Sequence, residues 1–238
     1  MRNQSLVGFA LHQRRYRERS YILHFFSEEF GRVDGVIRQV PPALYHLATV
    51  QATGKSELKN FSQLDVQGQP FYLQQKALFA GFYLNEILLR LLPVEEPMAA
   101  TYAAYQIAFQ QLKILPQDDP QDVQLKLILR HFEYVFLNEL GYAIDYFSDS
   151  MGQEIEPERY YLFVPQEGFV ANIQASGFLG ENLLQLGQDL MPDDAGQLQI
   201  HSENSSLIAK LYRTIFTEIL GNKPLKSRQL WVSQKHHS

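Results

Sequence analysis

Cysteine is absent from the chain's 238 residues. That excludes a disulfide framework and a thiolate-held zinc, and it suits a reducing compartment. Long hydrophobic runs are missing too. The most apolar stretch, Ala77 to Leu92, is broken by Asn85, Glu86 and Arg90, so it predicts a buried helix and not a membrane span. The first residues, MRNQSLVGFALHQRR, lack the apolar block of a secretory signal, and a cytoplasmic chain is expected. Histidine is sparse, seven in all, with no H-x-x-x-H or H-E-x-x-H pair. No metal or other cofactor is expected from such a set.

Catalytic motifs are equally thin. Gln51-Ala52-Thr53-Gly54-Lys55-Ser56 resembles the end of a phosphate-binding P-loop, but the required first glycine falls on Thr49. Ser56-Glu57-Leu58-Lys59 has the S-x-x-K spacing without its companion motifs. Glu95-Glu96 and Asp118-Asp119 stand at expected helix starts, where acidic residues suit the macrodipole. No group of residues asks for chemistry, and no enzyme is expected.

What the chain has is core and uneven charge. Apolar residues make up 45% and aromatics 13%, enough to bury a substantial interior. Net charge is −5, yet residues 1–60 hold nine lysines and arginines against five carboxylates, a balance of +4. Residues 61–206 hold six against twenty, −14, and residues 207–238 hold six against one, +5. Basic ends around an acidic middle point to a polyanionic partner for the ends.

Residues 5 to about 75 read as short strands: Leu6–Leu11, Ser20–Phe26, Arg32–Arg38, and further pieces near Leu44–Val50 and Gln63–Val66. Glycine and proline punctuate them, as in a small barrel. From about residue 76 the period turns helical. Helices are predicted near 77–92, 99–115, 120–140, 179–190 and 205–220, with Gly141 and Gly221 as left-handed stops. Residues 142–175 read as an irregular insertion with one strand at 160–164. The fold class is therefore α+β with two domains: a small barrel over 1–76 and a mostly α-helical domain over 77–238.

Arg14, Arg15, Arg17 and Arg19 surround Tyr16 at the connection between the first two strands. Strand-to-strand loops of small barrels meet nucleic-acid backbones, and guanidinium forks suit phosphate. Tyr16, His12 and Tyr21 offer faces for unstacked bases. Glu18 is expected to pair with a neighbouring arginine. At the other end, Lys223, Lys226 and Arg228 accompany the single tryptophan, Trp231, after a helix stop. That segment could grip an acidic peptide or nucleic acid, or Trp231 could cover the core while Lys223 completes the helix end.

Taken in order, several segments resemble the RecO family of bacterial DNA repair and recombination mediators. They are Phe9-x-Leu11-x-x-Arg14-x-Tyr16-x-Glu18-x-Ser20, Phe30-Gly31, Gly54-Lys55-Ser56-Glu57-Leu58 and Tyr83-Leu84-Asn85-Glu86-Ile87-Leu88. Leu91-x-Pro93 with Glu96-Pro97, Arg130-x-Phe132-Glu133, Leu140-Gly141-Tyr142 and Leu220-Gly221-x-Lys223-Pro224-Leu225-Lys226-Ser227-Arg228 complete the set.

The resemblance implies an N-terminal oligonucleotide-binding (OB) barrel and a helical domain. It also implies binding of single- and double-stranded DNA, annealing of complementary strands, and help in loading recombinase onto DNA coated by single-strand-binding protein. The implied partners are the acidic C-terminal tail of that protein and RecR. Some members carry a four-cysteine zinc module near 145–175; without cysteine, this chain resembles the branch that lacks it. The expected DNA patch is Arg14, Arg15, Tyr16, Arg17 and Arg19, extended by Arg32, Arg38 and Lys55. The expected tail-peptide residues are Arg130 and His131, with Lys223, Lys226 and Arg228. A nucleoid-associated monomer is expected. The alternatives are an RNA-binding OB module and a purely protein-binding adaptor.

Overall fold

The computed structural model describes residues 1–116, 118–191, 200–201, 204–221 and 223–235, with only the backbone of Pro120 and of residues 231–235. Strands β1 (Gln4–Arg15), β2 (Tyr21–Ser27), β3 (Gly31–Ile37), β4 (Leu47–Thr53) and β5 (Lys59–Val66) close into a barrel in the order β1-β2-β3-β5-β4. Every pairing is antiparallel except β3 with β5, where Gly35 faces Lys59 and Val36 faces Asn60. A five-stranded closed sheet in this order is an OB-type barrel, as expected.

Alternation built it. In β3 and β4 buried and half-buried residues strictly alternate, as a sheet with one face on a core requires. Leu6, Ala10, Leu23, Phe25, Val33, Ile37 and Phe61 fill the interior with the small residues of β4. Strand β2 breaks the alternation because both its faces are covered: Ile22, Leu23, Phe25 and Phe26 are all buried. The cover comes from α1 (Gln75–Leu91) and α2 (Ala99–Lys113). Phe26 meets Tyr102 and Tyr105 edge-on at 5.2 and 5.9 Å, and Phe9 of β1 meets Tyr105 at 5.4 Å.

Two polar residues fix α1 in place. The β1–β2 register shifts between Ala10 and His12, so Leu11 drops out of the ladder. Its carbonyl accepts a hydrogen bond from buried Asn85 Nδ2 at 3.0 Å, and Asn85 Oδ1 accepts one from the Tyr105 hydroxyl at 2.8 Å. Glu86, the next residue, caps the final helix, α6 (Lys226–Lys235). The Lys226 and Ser227 backbone N–H groups donate to its carboxylate at 2.9 and 2.8 Å, and the Ser227 hydroxyl donates at 2.6 Å.

The segment joining α1 to α2 is also tied down. Glu95 N–H donates to the Arg32 carbonyl at 2.8 Å, and the Glu95 carboxylate pairs with buried Lys59. Gly31, at φ +63°, lies so close that a Cβ would stand 1.8 Å from the Glu96 carbonyl oxygen.

By packing, Met1–Asp118 and the segment from Lys223 form one compact unit, and Asp119–Asn222 forms another. The boundary expected at residue 76 marks the change from strand to helix; the compact units divide later, because α1, α2 and α6 close over the barrel. The second unit contains α3 (Val123–Glu139), a sheet of β6 (Tyr160–Val164), β7 (Gly168–Asn172) and β8 (Phe178–Leu179) in the order β7-β6-β8, then α4 (Gly180–Asp189) and α5 (Ser205–Leu220). Asp119 starts α3, accepting the N–H groups of Gln124 and Leu125 at 3.1 Å each. The stretch expected to be irregular holds the β6–β7 hairpin, with Phe163 edge-on to Phe169 at 5.3 Å.

Charge follows the same division. The barrel's unit has sixteen lysines and arginines against ten carboxylates, +6, whereas residues 119–222 have five against sixteen, −11.

Replacing Asn85 with Ala strips partners from the buried Leu11 carbonyl and Tyr105 hydroxyl at once. The expected loss is about 2–3 kcal/mol, read from the denaturant midpoint; a shift within error would show that α1 is not held by this pair.

Candidate nucleic-acid interface

The long β1 carries the arginines out to the barrel's edge. Arg14 and Arg15 are the last two residues of the strand, opposite Ile22 and Tyr21, and Arg17 and Arg19 sit in the five-residue connection to β2. That connection is closed by Tyr16 N–H to the Ser20 carbonyl at 2.8 Å and by the Ser20 hydroxyl to the Tyr16 carbonyl. Arg17 adopts φ +59° and puts its guanidinium carbon 5.1 Å from the Tyr16 ring centroid, a cation–π contact. The expected ordering of this loop by a Glu18 ion pair is replaced by these contacts. All four arginines are exposed, and none forms an ion pair among the described residues.

The register decides which other cations join them. Arg15 pairs with Tyr21, Tyr21 pairs with Ile37, and Arg38 follows Ile37, so exposed Arg38 lies at the same end of the barrel. Lys55 does not. Its loop joins β4 to β5 and is bonded to the chain start, with Gly54 N–H donating to the Met1 carbonyl at 3.1 Å. The twelve residues of β1, about 3.3 Å each, separate it from the arginines. The Gly54-Lys55-Ser56 segment leads into a strand, so the helix that a P-loop needs is missing.

Arg32 is a correction to the expected patch. Its Nε and Nη2 grip Asp34 at 3.0 and 2.7 Å, and Nη1 donates to the Leu89 carbonyl of α1. His24 Nδ1 lies 2.8 Å from Asp34 Oδ1, the geometry of a donated N–H; the 3.3 Å approach of Arg32 Nη2 to that nitrogen is then a contact only. Arg32 thus ties β3 to α1 and leaves no fork for phosphate. Burial alone would raise the Asp34 carboxyl, but the hydrogen bonds from His24 and Arg32 and their charges outweigh it and hold it below its usual value.

The other flat residues divide. Tyr21 is half-buried against the barrel core, while His12 is exposed with its ring 5.8 Å from that of His24. The ring is still partly desolvated by its neighbours, and this, then the charges of His24, Arg14 and Lys226, lowers the His12 pKa.

Models of two families cover nearly all of the chain: recombination protein O N terminal over residues 1–69, and recombination protein O C terminal over 74–229. A "DNA repair protein RecO" of Pseudoalteromonas atlantica is 33% identical over 97% of this chain and 95% of its own. Those of Pseudomonas aeruginosa, 33% identical over 95% and 94%, and Cellvibrio japonicus, 31% over the full length of both, agree. The chain belongs to the RecO family.

Within this RecO-type architecture the expected peptide residues fall into two groups. Arg130 and His131 belong to α3 of the acidic unit, and Lys223, Lys226 and Arg228 to the barrel's unit. Arg130 Nη2 donates to Glu133 Oε1 at 2.9 Å, one turn along its own helix, while its buried Nε has no hydrogen-bond partner among the described residues. Burial lowers the His131 pKa, so His131 is neutral at pH 7. Lys223, Lys226 and Arg228 are exposed, and none forms an ion pair among the described residues. The side chain of Trp231 and the histidines at 236 and 237 lie outside the described residues. Among the described residues no cluster of three ligating side chains could hold a metal, and no helix is long and apolar enough to cross a membrane.

Sequence reasoning named Asn85, Glu86 and Lys59 but gave none of them a structural role. For the first two a signal was visible, since Asn85 and Glu86 are adjacent polar residues in the middle of a mostly apolar helix.

Asp34 makes a pH prediction. Because its folded pKa is depressed, its contribution to stability is fully present above the unfolded value of about 3.9. It is lost as pH falls through the folded value. The stability gap between the native chain and Asp34→Asn should therefore shrink below about pH 4 in denaturant titrations; a gap independent of pH would mean that Asp34 is not held ionised by His24 and Arg32.

Proposed function

We propose that the chain acts in DNA repair by binding DNA through the arginine end of its barrel. One observation carries the reading: Arg14, Arg15, Arg17, Arg19 and Arg38 gather at one end of an OB-type barrel, exposed and without a described carboxylate partner, in a unit of net charge +6. The curated relatives' name, DNA repair protein, supports the same role. Guanidinium groups take the backbone phosphates of single- and double-stranded DNA. A base stacking on Tyr16 would use the ring face that Arg17 leaves, or displace Arg17. Lys55 is a separate contact at the far end of β1, reached only by a strand crossing the barrel.

Annealing needs no catalytic group. Neutralising phosphates on two strands lowers their repulsion, and base pairing then supplies the driving force. The resemblance adds a mediator role in which recombinase is loaded onto DNA coated by single-strand-binding protein, with RecR as a further partner. For the acidic tail of that coating protein, Arg130 is the proposed anchor. The tail's carboxylate would compete with Glu133 for the Arg130 guanidinium. His131, neutral, would add shape and no charge.

Substituting Ala for Arg14, Arg15 and Arg17 together should lower affinity for a single-stranded DNA oligomer. It should also flatten log affinity against log salt by about 0.7 for each phosphate left without its cation. Fluorescence anisotropy across a salt series reads both; an unchanged slope removes the barrel end as the DNA site. Equal binding of an RNA oligomer would favour the RNA-binding alternative, and binding of neither would favour the adaptor. Separately, Arg130→Gln should weaken binding of an acidic tail peptide by about tenfold, the size of one charge-assisted hydrogen bond, with DNA affinity intact. If calorimetry shows no change in peptide affinity, Arg130 is not the anchor.

A further inference from the structure

The two basic ends of the sequence converge within the barrel's compact unit. Glu86 of α1 takes the first N–H groups of α6, at Lys226 and Ser227, while its neighbour Asn85 takes the Leu11 carbonyl. Leu11 immediately precedes His12, and Arg14 comes two residues later on the same strand. Two adjacent side chains of one helix therefore pin the start of α6 to the half of β1 that bears the arginines. Leu225 and Ser227 turn inward, at 5% and 4% exposure, leaving Lys223, Lys226 and Arg228 outward.

The electrostatics register the same closeness. His12 on β1, its ring partly desolvated and beside His24, also feels Arg14 of its own strand and Lys226 of α6 together. Within a Debye length of about 8–10 Å, such charges act on a ligand as one field. The helix N-terminus itself is filled by Glu86, so it offers no anion pocket; any anion must be met by the side chains.

We infer that Lys223, Lys226 and Arg228 at the start of α6 form one continuous DNA-backbone surface with the arginine end of the barrel. This rests on the DNA-binding role proposed above and removes these three cations from the tail-peptide site. A strand of DNA is the fitting occupant because its charges repeat along the backbone. Exposed cations on two elements pinned together, Arg14 on β1 with Lys226 on α6, suit that repeat, whereas an acidic tail needs its charge beside an apolar pocket, and Leu225, the leucine between Lys223 and Lys226, is turned inward.

The test uses the full chain with Lys223, Lys226 and Arg228 changed together to Gln, beside the barrel variant and a charge-keeping control, Lys223→Arg with Lys226→Arg. A single-stranded DNA oligomer and the acidic tail peptide are titrated across a salt series. The expected result is that the Gln variant loses at least tenfold in DNA affinity and flattens the salt slope by about 0.7 for each phosphate it no longer neutralises, while the Arg control keeps the slope and peptide affinity is unchanged. If the barrel variant flattens the slope and the Gln variant does not, the composite surface is overturned and the barrel site stands. If neither moves the slope, both fall. Loss of peptide affinity with DNA binding intact would return these cations to the peptide site and overturn the inference.

Discussion

Asn85 is the contact on which the arrangement of the barrel's unit turns. A strand that curves through a closed five-stranded barrel needs a break in its ladder, and β1 makes it at Leu11. A break in a ladder leaves a carbonyl that must be satisfied before helices can cover it. Asn85 satisfies it with its amide and uses its remaining oxygen on Tyr105, so one side chain joins β1, α1 and α2. Glu86, one residue further round the helix, joins α6 to the same point.

That seam has a consequence for where a ligand can go. In OB barrels the outer face of strands 2 and 3, with the flanking loops, is the usual oligonucleotide platform. Here part of that face is roofed: Phe26 packs on tyrosines of α2, and Arg32 reaches to the Leu89 carbonyl of α1. A cation on β3 that would otherwise meet phosphate is spent on Asp34 and the helix. Exposed guanidinium groups stand where the strands run past the roof, at the end of β1, the loop after it and the end of β3.

The sequence shows this division unevenly. Strands β1 to β4 and five of the helices announce themselves by period, because each has one face on a core, and the arginine stretch announces itself by composition. What the pattern hides is anything that depends on a partner distant in sequence. Arg32 and Arg38 look alike along the chain, two cations flanking an alternating strand. Only the cross-strand position of Asp34 beside His24, and the arrival of α1, separate the committed one from the exposed one. Arg130 with Glu133 was legible as a helical spacing, though its burial was not. Helix α6 was missed because it is short and polar and follows Pro224; it is held by Glu86, 140 residues away, more than by its own propensity.

The net charge of −5 is a poor guide to what the chain attracts. Counterions screen a charge beyond about 8–10 Å at ordinary ionic strength, so a polyanion responds to the nearest surface and not to the sum. The carboxylates are concentrated in residues 119–222, where a balance of −11 leaves that unit unattractive to phosphate. The barrel's unit keeps +6, and several of its ten carboxylates are spent internally: Asp34 on Arg32, Glu86 on α6 and Glu95 on Lys59. Lys59 and Arg32 are consumed in the same pairs, while Arg14, Arg15, Arg17, Arg19 and Arg38 stay exposed where the strands end. An acidic protein can in this way present a cationic face, because its own folding uses negative charge inside the basic unit and segregates the rest.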